Sequence, residues 1–293
     1  MELVAIVDPD PAKLAAADVS AACLRLRHVN ELAGKADAVI VAAPTSEHEP
    51  VGTWLLESGM DVLMEKPIAP TLSAADRLIA AAQAHGRILQ VGHLERFNPV
   101  VMSLEQAVTL PLFFEVHRMS VFSPRSLDVD VVLDLMIHDL DIVLSLARGK
   151  LEEIRAAGVS VLSRKVDIAN VRLQFDDGCV ANLTASRVST ERVRKLRLFQ
   201  PRQYISLDYA KQEAVEFTVG ANQQIAFRKL PVIPDEPLKL QFESFIQCVR
   251  TRARPKLDGL TARHTLEAAL SILDKIEQHA QVVEQTLSRE CKP

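Results

Sequence analysis

Residues 38–67 read AVIVAAPTSEHEPVGTWLLESGMDVLMEKP, and the punctuation of this stretch decides the fold class. Ala38–Ala43 is a short apolar run rich in β-branched residues, closed by Pro44-Thr45. Asp61-Val-Leu-Met64 is a second such run, closed by Glu65-Lys66-Pro67. Short apolar runs bounded by turn residues read as buried strands. A helix is expected between them around Pro50–Ser58, stopped by Gly59. The same grammar extends outward on both sides. Leu3-Val-Ala-Ile-Val7 ends in Asp8-Pro9-Asp10-Pro11 and leads into an Ala-rich helix from about Ala12, and a short strand follows near Leu24–Val29. Downstream, a helix over Ser73–His85 stops at Gly86 and leads to a strand over Ile88–His93. Strand, helix, strand, helix predicts a parallel sheet covered on both faces. Ligands of such sheets bind beyond the carboxyl ends of the strands, where Asp8, Pro44-Thr45, Glu65-Lys66 and His93 fall.

A dinucleotide-binding half opens with a strand and a Gly-rich turn, with an acidic residue about 20 residues later. Asp8 suits that acid at the end of what should be the second strand, and the first strand, its GxGxxG turn and the first helix have no room before it. The expectation is a Rossmann-like sheet lacking its first strand, which belongs between the Leu3–Val7 and Ala38–Ala43 strands. Either the true start lies upstream, or the polypeptide is a truncated form with a damaged cofactor site.

After His93 the pattern changes. A helix near Pro99–Val108 and a strand near Leu112–Arg118 lead to Val-Leu-Asp134-Leu-Met-Ile-His138-Asp139-Leu-Asp141-Ile-Val-Leu. At 3.6 residues per turn this segment is apolar on two sides, with Asp134, His138, Asp141 and Ser145 in a polar stripe between. A buried helix with carboxylates and an imidazole in one stripe is a candidate for chemistry, because a carboxylate one turn from a histidine orients the ring and tunes its proton affinity. Period-two runs over Val171–Phe175 and Cys179–Thr184, joined by Asp176-Asp-Gly178, predict a hairpin in an antiparallel sheet. Amphipathic helices over Gln241–Arg250 and Thr261–Val283 close the chain. The expected class is α/β, with a truncated NAD-binding Rossmann domain over 1–93. An α+β domain with a large, open-faced, mainly antiparallel sheet follows over 94–293, its last helices packing back on the first domain.

With 293 residues, 48% apolar and 25% charged, the chain has the composition of a globular protein with a substantial core. A net charge of −4 and a pI near 6.1 give no general attraction to nucleic acid or anionic membranes. No apolar run approaches a bilayer span, and Met1 leads straight into a strand. Cys23, Cys179, Cys248 and Cys291 form no CxxC pair and suit reduced thiols in a cytoplasmic protein. No second His/Cys cluster joins Asp134, His138 and Asp141, so no metal site is expected. The basic cluster Arg187, Arg192, Arg194, Lys195, Arg197 and Arg202 alternates with apolar residues and reads as a solvated strand face, or alternatively as a subunit contact.

Glu65-Lys66-Pro67 at a strand end, followed by Asp134-x-x-x-His138, resembles the Gfo/Idh/MocA family of oxidoreductases. The resemblance spans the chain apart from the family's opening βα unit. It implies NAD as cofactor, with catalytic roles for Lys66, Asp134 and His138. It places Asp8 on the adenosine ribose, and Ala43, Pro44, Thr45, His48, Glu65 and Lys66 along the dinucleotide. Thr45 stands where the family often has Asn. A narrower likeness lies in Val91-Gly-His93-Leu-Glu-Arg96-Phe-Asn98-Pro99 and in the segment from His117-Arg118 through Arg125 to Asp139. It is to the subgroup acting on UDP-N-acetylhexosamines, particularly the UDP-N-acetylglucosamine 3-dehydrogenases serving lipid A synthesis. That likeness implies a nucleotide-sugar substrate, with His93, Arg96, Asn98, Arg118 and Arg125 as substrate-binding candidates. Arg118 and Arg125 suit a diphosphate. Alternatives are a dehydrogenase for another sugar or cyclitol, or a catalytically silent assembly partner. The open-faced sheet implies a homo-dimer or homo-tetramer.

Overall fold

Apolar runs of three to five residues form five parallel strands in the N-terminal part of the chain: β1 (Ala5–Val7), β2 (Leu24–Leu26), β3 (Ala38–Val41), β4 (Asp61–Glu65) and β5 (Leu89–Gly92). The computed structural model describes residues 1–123 and 129–290. The helices between these strands are α1 (Pro11–Ala16), α2 (Thr45–Glu57) and α3 (Leu72–Ala84). β1 pairs with β2, and β3, β4 and β5 form a separate sheet. Among the described residues, β1 and β3 do not pair with each other. β4, central in its sheet, is buried from Asp61 to Met64, which explains its uninterrupted apolar reading. Caps define the helices: Asp10 accepts from Ala12 N ahead of Pro11, and Thr71 accepts from Ala74 N. Gly59 and Gly86, at φ 86° and 58°, turn the chain from helix back into strand.

α2 begins at Thr45, five residues before the expected start at Pro50. Proline reads as a first-turn residue because its missing N–H costs nothing there. Here the earlier turn is instead anchored by His48, buried at 1% exposure, and the helix absorbs Pro50.

The second part of the chain contains α4 (Pro99–Ala107), β6 (Phe113–Val121), and a π-helical turn over Val132–Met136 that runs into α5 (Ile137–Leu146). Seven further strands follow: β7 (Leu151–Val159), β8 (Ile168–Phe175), β9 (Val180–Ser189), β10 (Val193–Gln200), β11 (Gln203–Asp208), β12 (Glu213–Val219) and β13 (Ile225–Lys229). They make one eight-stranded sheet with β6, in the order β13-β12-β11-β10-β6-β9-β8-β7. Every pair is antiparallel except β6 with β9. Strict alternation gives the sheet two faces. Phe114, Val116, Leu183, Leu196 and Leu198 join Met136, Ile137, Leu140 and Val143 in the core.

The opposite face carries a cross-strand row of Phe113, Phe199, Tyr204, Phe217 and Phe227. Successive ring centroids are 5.6, 4.8, 5.5 and 5.1 Å apart, and Phe227 is 59% exposed. Two helices end the chain, α6 (Pro237–Thr251) and α7 (Gly259–Glu290). The molecule divides into one unit of Met1–Gly92 with Phe242–Arg263, and another of His93–Gln241 with the residues from His264 onward. In the first unit Phe245 and Cys248 of α6 pack on Leu63 and Ile88.

The approach to the π turn is held by a buried carboxylate. Asp167, fully buried, accepts from the N–H groups of Val161, Leu162 and Ser163 at 2.7, 2.6 and 2.9 Å and from Ser163 Oγ at 2.7 Å. Arg187, 5% exposed, lies beside Asp167 and donates to Val129 O and Val166 O. Asp130 then accepts from Val166 N. Arg187 is therefore an interior strut rather than part of a solvated strand face. Burial would raise the Asp167 carboxyl, yet the converging donors pull it down to about 2. A carboxyl held below its unfolded value of about 3.9 contributes stability that is complete above that value and disappears as pH falls through about 2. Asp167→Asn is therefore expected to destabilise the protein by about 2 kcal/mol at pH 7 in urea titrations. The gap to wild type should narrow between about pH 4 and pH 2. A gap that stays constant across that range would refute the account.

Candidate active site

In the first unit, candidate residues stand at the carboxyl ends of three strands. Asp8 follows β1; its Oδ1 accepts from Asp10 N at 2.9 Å, and Lys13 Nζ lies 3.7 Å from its other oxygen. Its side chain is one-third exposed, and the helix-capping task falls to Asp10. Ala43-Pro44-Thr45 follow β3, with Thr45 opening α2, where first-turn N–H groups have no carbonyl one turn back. Glu65 ends β4 and is in register with Gly92 of β5. A Cβ at Gly92 would sit 3.2 Å from Glu65 Oε2, so the glycine makes room for this carboxylate. Lys66, the next residue, is half-buried and donates its N–H to Glu65 at 3.3 Å.

His48, expected from the resemblance along the dinucleotide, is buried between two main-chain carbonyls. Its Nδ1 lies 2.9 Å from Pro67 O and its Nε2 3.0 Å from Ala43 O. Both ring nitrogens therefore face main-chain carbonyls, one from each of the turns that follow β3 and β4.

In the second unit, Asp134 lies within the π turn and His138 in the first turn of α5, both half-buried. The π turn adds a residue to the helical repeat, so the polar stripe read at 3.6 residues per turn does not persist. Asp141 turns into the interior, where it accepts from Thr265 Oγ1 at 2.9 Å and from Arg96 at 3.3 Å. Ser145 is exposed and donates to Ile142 O. Asp139, outside the expected stripe, is 2% exposed and receives Arg118 Nε and Nη2 at 2.6 and 3.0 Å.

These contacts belong to two buried polar clusters that take in three of the five substrate-binding candidates. Arg118, 3% exposed, also donates to Glu95 at 2.9 Å and stacks over Tyr209 at 5.3 Å from the ring centroid. Asn98 caps α4 and donates to Glu95 and to Tyr209 O. Arg96 joins Glu105 at 3.1 Å as well as Asp141. Burial alone would weaken the proton affinity of the Arg118 guanidinium, but Asp139 and Glu95 more than offset this and raise it. Burial, reinforced by Asp139, lifts the Tyr209 phenol well above its ordinary range. Two carboxylates thus hold the Arg118 guanidinium, expected from the sequence as a diphosphate contact, within the interior. Arg96 and Asn98, substrate-binding candidates in the sequence, are likewise buried and bonded to groups of the protein itself. His93 is buried at 1% exposure, opening a short 3-10 turn after β5. Arg125 lies outside the described residues. Glu95, Asp139 and Tyr209 escaped the sequence reading, and the one available signal was the charge of Asp139 on a helix otherwise apolar at that position.

Comparison with known proteins agrees with this architecture. The model of an oxidoreductase family with an NAD-binding Rossmann fold, Gfo/Idh/MocA, matches residues 1–93, and the Gfo/Idh/MocA C-terminal domain matches residues 113–203. The UDP-N-acetylglucosamine 3-dehydrogenase of Acidithiobacillus ferrooxidans is 32% identical over 289 aligned residues, covering 96% of this chain and 91% of that protein. One of its crystal structures superposes with a TM-score of 0.88 at 32% identity, covering 94% of this chain and 90% of that one. An inositol 2-dehydrogenase/D-chiro-inositol 3-dehydrogenase of Shouchella clausii is 35% identical over 127 residues, covering 41% of this chain and 36% of that protein. The aldose-aldose oxidoreductase of Caulobacter crescentus, at 20% identity and a TM-score of 0.82 over 95% of this chain and 90% of that one, shares the fold.

The chain belongs to the Gfo/Idh/MocA oxidoreductase family. It is an NAD-dependent dehydrogenase acting on CH–OH groups. At the end of β1, Asp8 keeps a partly exposed carboxylate, an acid of the kind that suits ribose hydroxyls and disfavours a 2′-phosphate.

Arg118→Met tests the scaffold role. Leaving Asp139 and Glu95 buried without their cation should cost about 3–5 kcal/mol in urea unfolding. A loss below about 1 kcal/mol would show that the network does not hold α5.

Proposed function

We propose that the chain oxidises a secondary hydroxyl of a nucleotide sugar, converting UDP-N-acetylglucosamine to its 3-keto form for amino-sugar and lipid A synthesis in the cytoplasm. The observation that carries this reading is the likeness to the Acidithiobacillus dehydrogenase along nearly all of both chains. NAD, when bound, accepts the hydride. In this reading Lys66 places a cation beside the carbinol oxygen and stabilises developing alkoxide character. His138 takes the hydroxyl proton, because an imidazole titrates near neutral pH, and Asp134 orients that ring or accepts a sugar hydroxyl. Purified protein with NAD and UDP-N-acetylglucosamine should generate NADH absorbance. Lys66→Met and His138→Asn should each lower kcat by about 100-fold or more. Turnover of myo-inositol with none of any UDP-hexosamine would move the substrate to a cyclitol, and the absence of any NAD binding would overturn the reading.

A second copy of the chain is the proposed cover for the aromatic row on the outer sheet face. Phe199, Phe217 and Phe227 are too large an apolar strip to leave in water, and identical protomers bury such strips in pairs. Sedimentation should show a dimer or tetramer that Phe217→Asp dissociates. An unchanged mass for the variant would place the interface elsewhere.

A further inference from the structure

We propose that His48 is a positioning residue, holding the Ala43–Thr45 turn and the Lys66–Pro67 turn at a fixed spacing. The inference rests on the reading that these two turns serve NAD and the catalytic lysine. The β3–β4 ladder ends at the pair Val41↔Met64. Beyond it each strand runs on into its functional turn, and the ladder no longer sets the distance between them. The carbonyls of Ala43 and Pro67 are both acceptors and cannot bond to each other. The His48 ring stands between them, 3.0 Å from one and 2.9 Å from the other. It is 1% exposed, so water does not compete for either contact.

The ring also fixes where α2 starts. His48 lies in the first turn of that helix, three residues after Thr45. One side chain thus sets three things: the end of β3, the start of α2, and the carbonyl immediately after Lys66. A residue that served packing alone would need the shape of the ring but not its two polar edges. An imidazole offers a donor to each carbonyl only when both nitrogens carry hydrogen, whereas a glutamine amide presents two N–H donors from one atom.

That difference supplies the test. His48→Phe keeps a ring of similar shape and removes both polar edges; His48→Gln keeps two donors. Both are compared with wild type and with Lys66→Met, with NADH formation from UDP-N-acetylglucosamine for turnover and calorimetric titration for NAD affinity. Rates are expressed per folded molecule. The expected result for His48→Phe is a KM and Kd for NAD raised about tenfold, with kcat lowered as well, since the loss of one or two buried hydrogen bonds is of that size. His48→Gln should recover part of both effects. A His48→Phe protein with wild-type KM and kcat per folded molecule, beside a Lys66→Met protein that has lost turnover, overturns the positioning role and leaves the dehydrogenase reading intact. Full turnover by Lys66→Met overturns the reading on which the role rests. If His48→Phe does not fold, His48→Leu, which also lacks both polar edges, decides: a raised KM for NAD per folded molecule supports positioning, and unchanged KM and kcat refute it.

Discussion

A single buried guanidinium governs the helix that carries His138. Arg118 rises from the inner face of β6 and is clasped by Asp139 of α5 and by Glu95 of the turn that follows β5. Apolar burial of Met136, Ile137, Leu140 and Val143 supplies most of the energy that docks α5 on the sheet, but apolar contact is non-directional. The charges are directional. Sliding the helix by a turn would pull Asp139 off Arg118 and leave a carboxylate unpaired in the interior, a loss that burial of a few methylenes does not offset. Arg96 and Thr265 hold Asp141 in the same way two residues further along, so α5 is fixed at two points. His138, immediately before Asp139, inherits its placement from that docking.

The segment that enters the helix is secured by different means. The N–H groups that converge on Asp167, with Arg187 on the carbonyls of Val129 and Val166, hold the β7–β8 connection against the approach to the π turn. In the first unit the organising device is neutral. Short parallel strands end at staggered points, and the side chains and loops beyond them are gathered by capping carboxylates, by the space left at Gly92, and by the His48 ring. Both halves follow one rule: regular hydrogen bonding sets the strands and helices, and individually paired polar groups set what lies past their ends.

Much of this was legible in advance, and for identifiable reasons. The runs over residues 38–43 and 61–64 are strands because their composition allows little else, and the alternation over Val171–Phe175 allowed only one face to be buried. What escaped were pairings between residues distant in sequence. Arg118 looked like a free cation near a functional helix, because nothing local to it reveals Glu95 or Asp139. Arg187 read as part of a solvated face for the same reason, since Asp167 and the Val129 carbonyl are distant in sequence. His48 carried no sign that two carbonyls from different loops would meet its ring. The π turn was hidden because it is a departure of one residue from the period by which helices are recognised.

The sequence alone thus determined the class of fold and where its strands end, since each depends on spacing along the chain or on residue type. Only the tertiary structure decided which charged residues are scaffold and which remain for chemistry. That choice depends on which carboxylate reaches which guanidinium once water is excluded, and burial is a property of the packed molecule that no local stretch of chain contains.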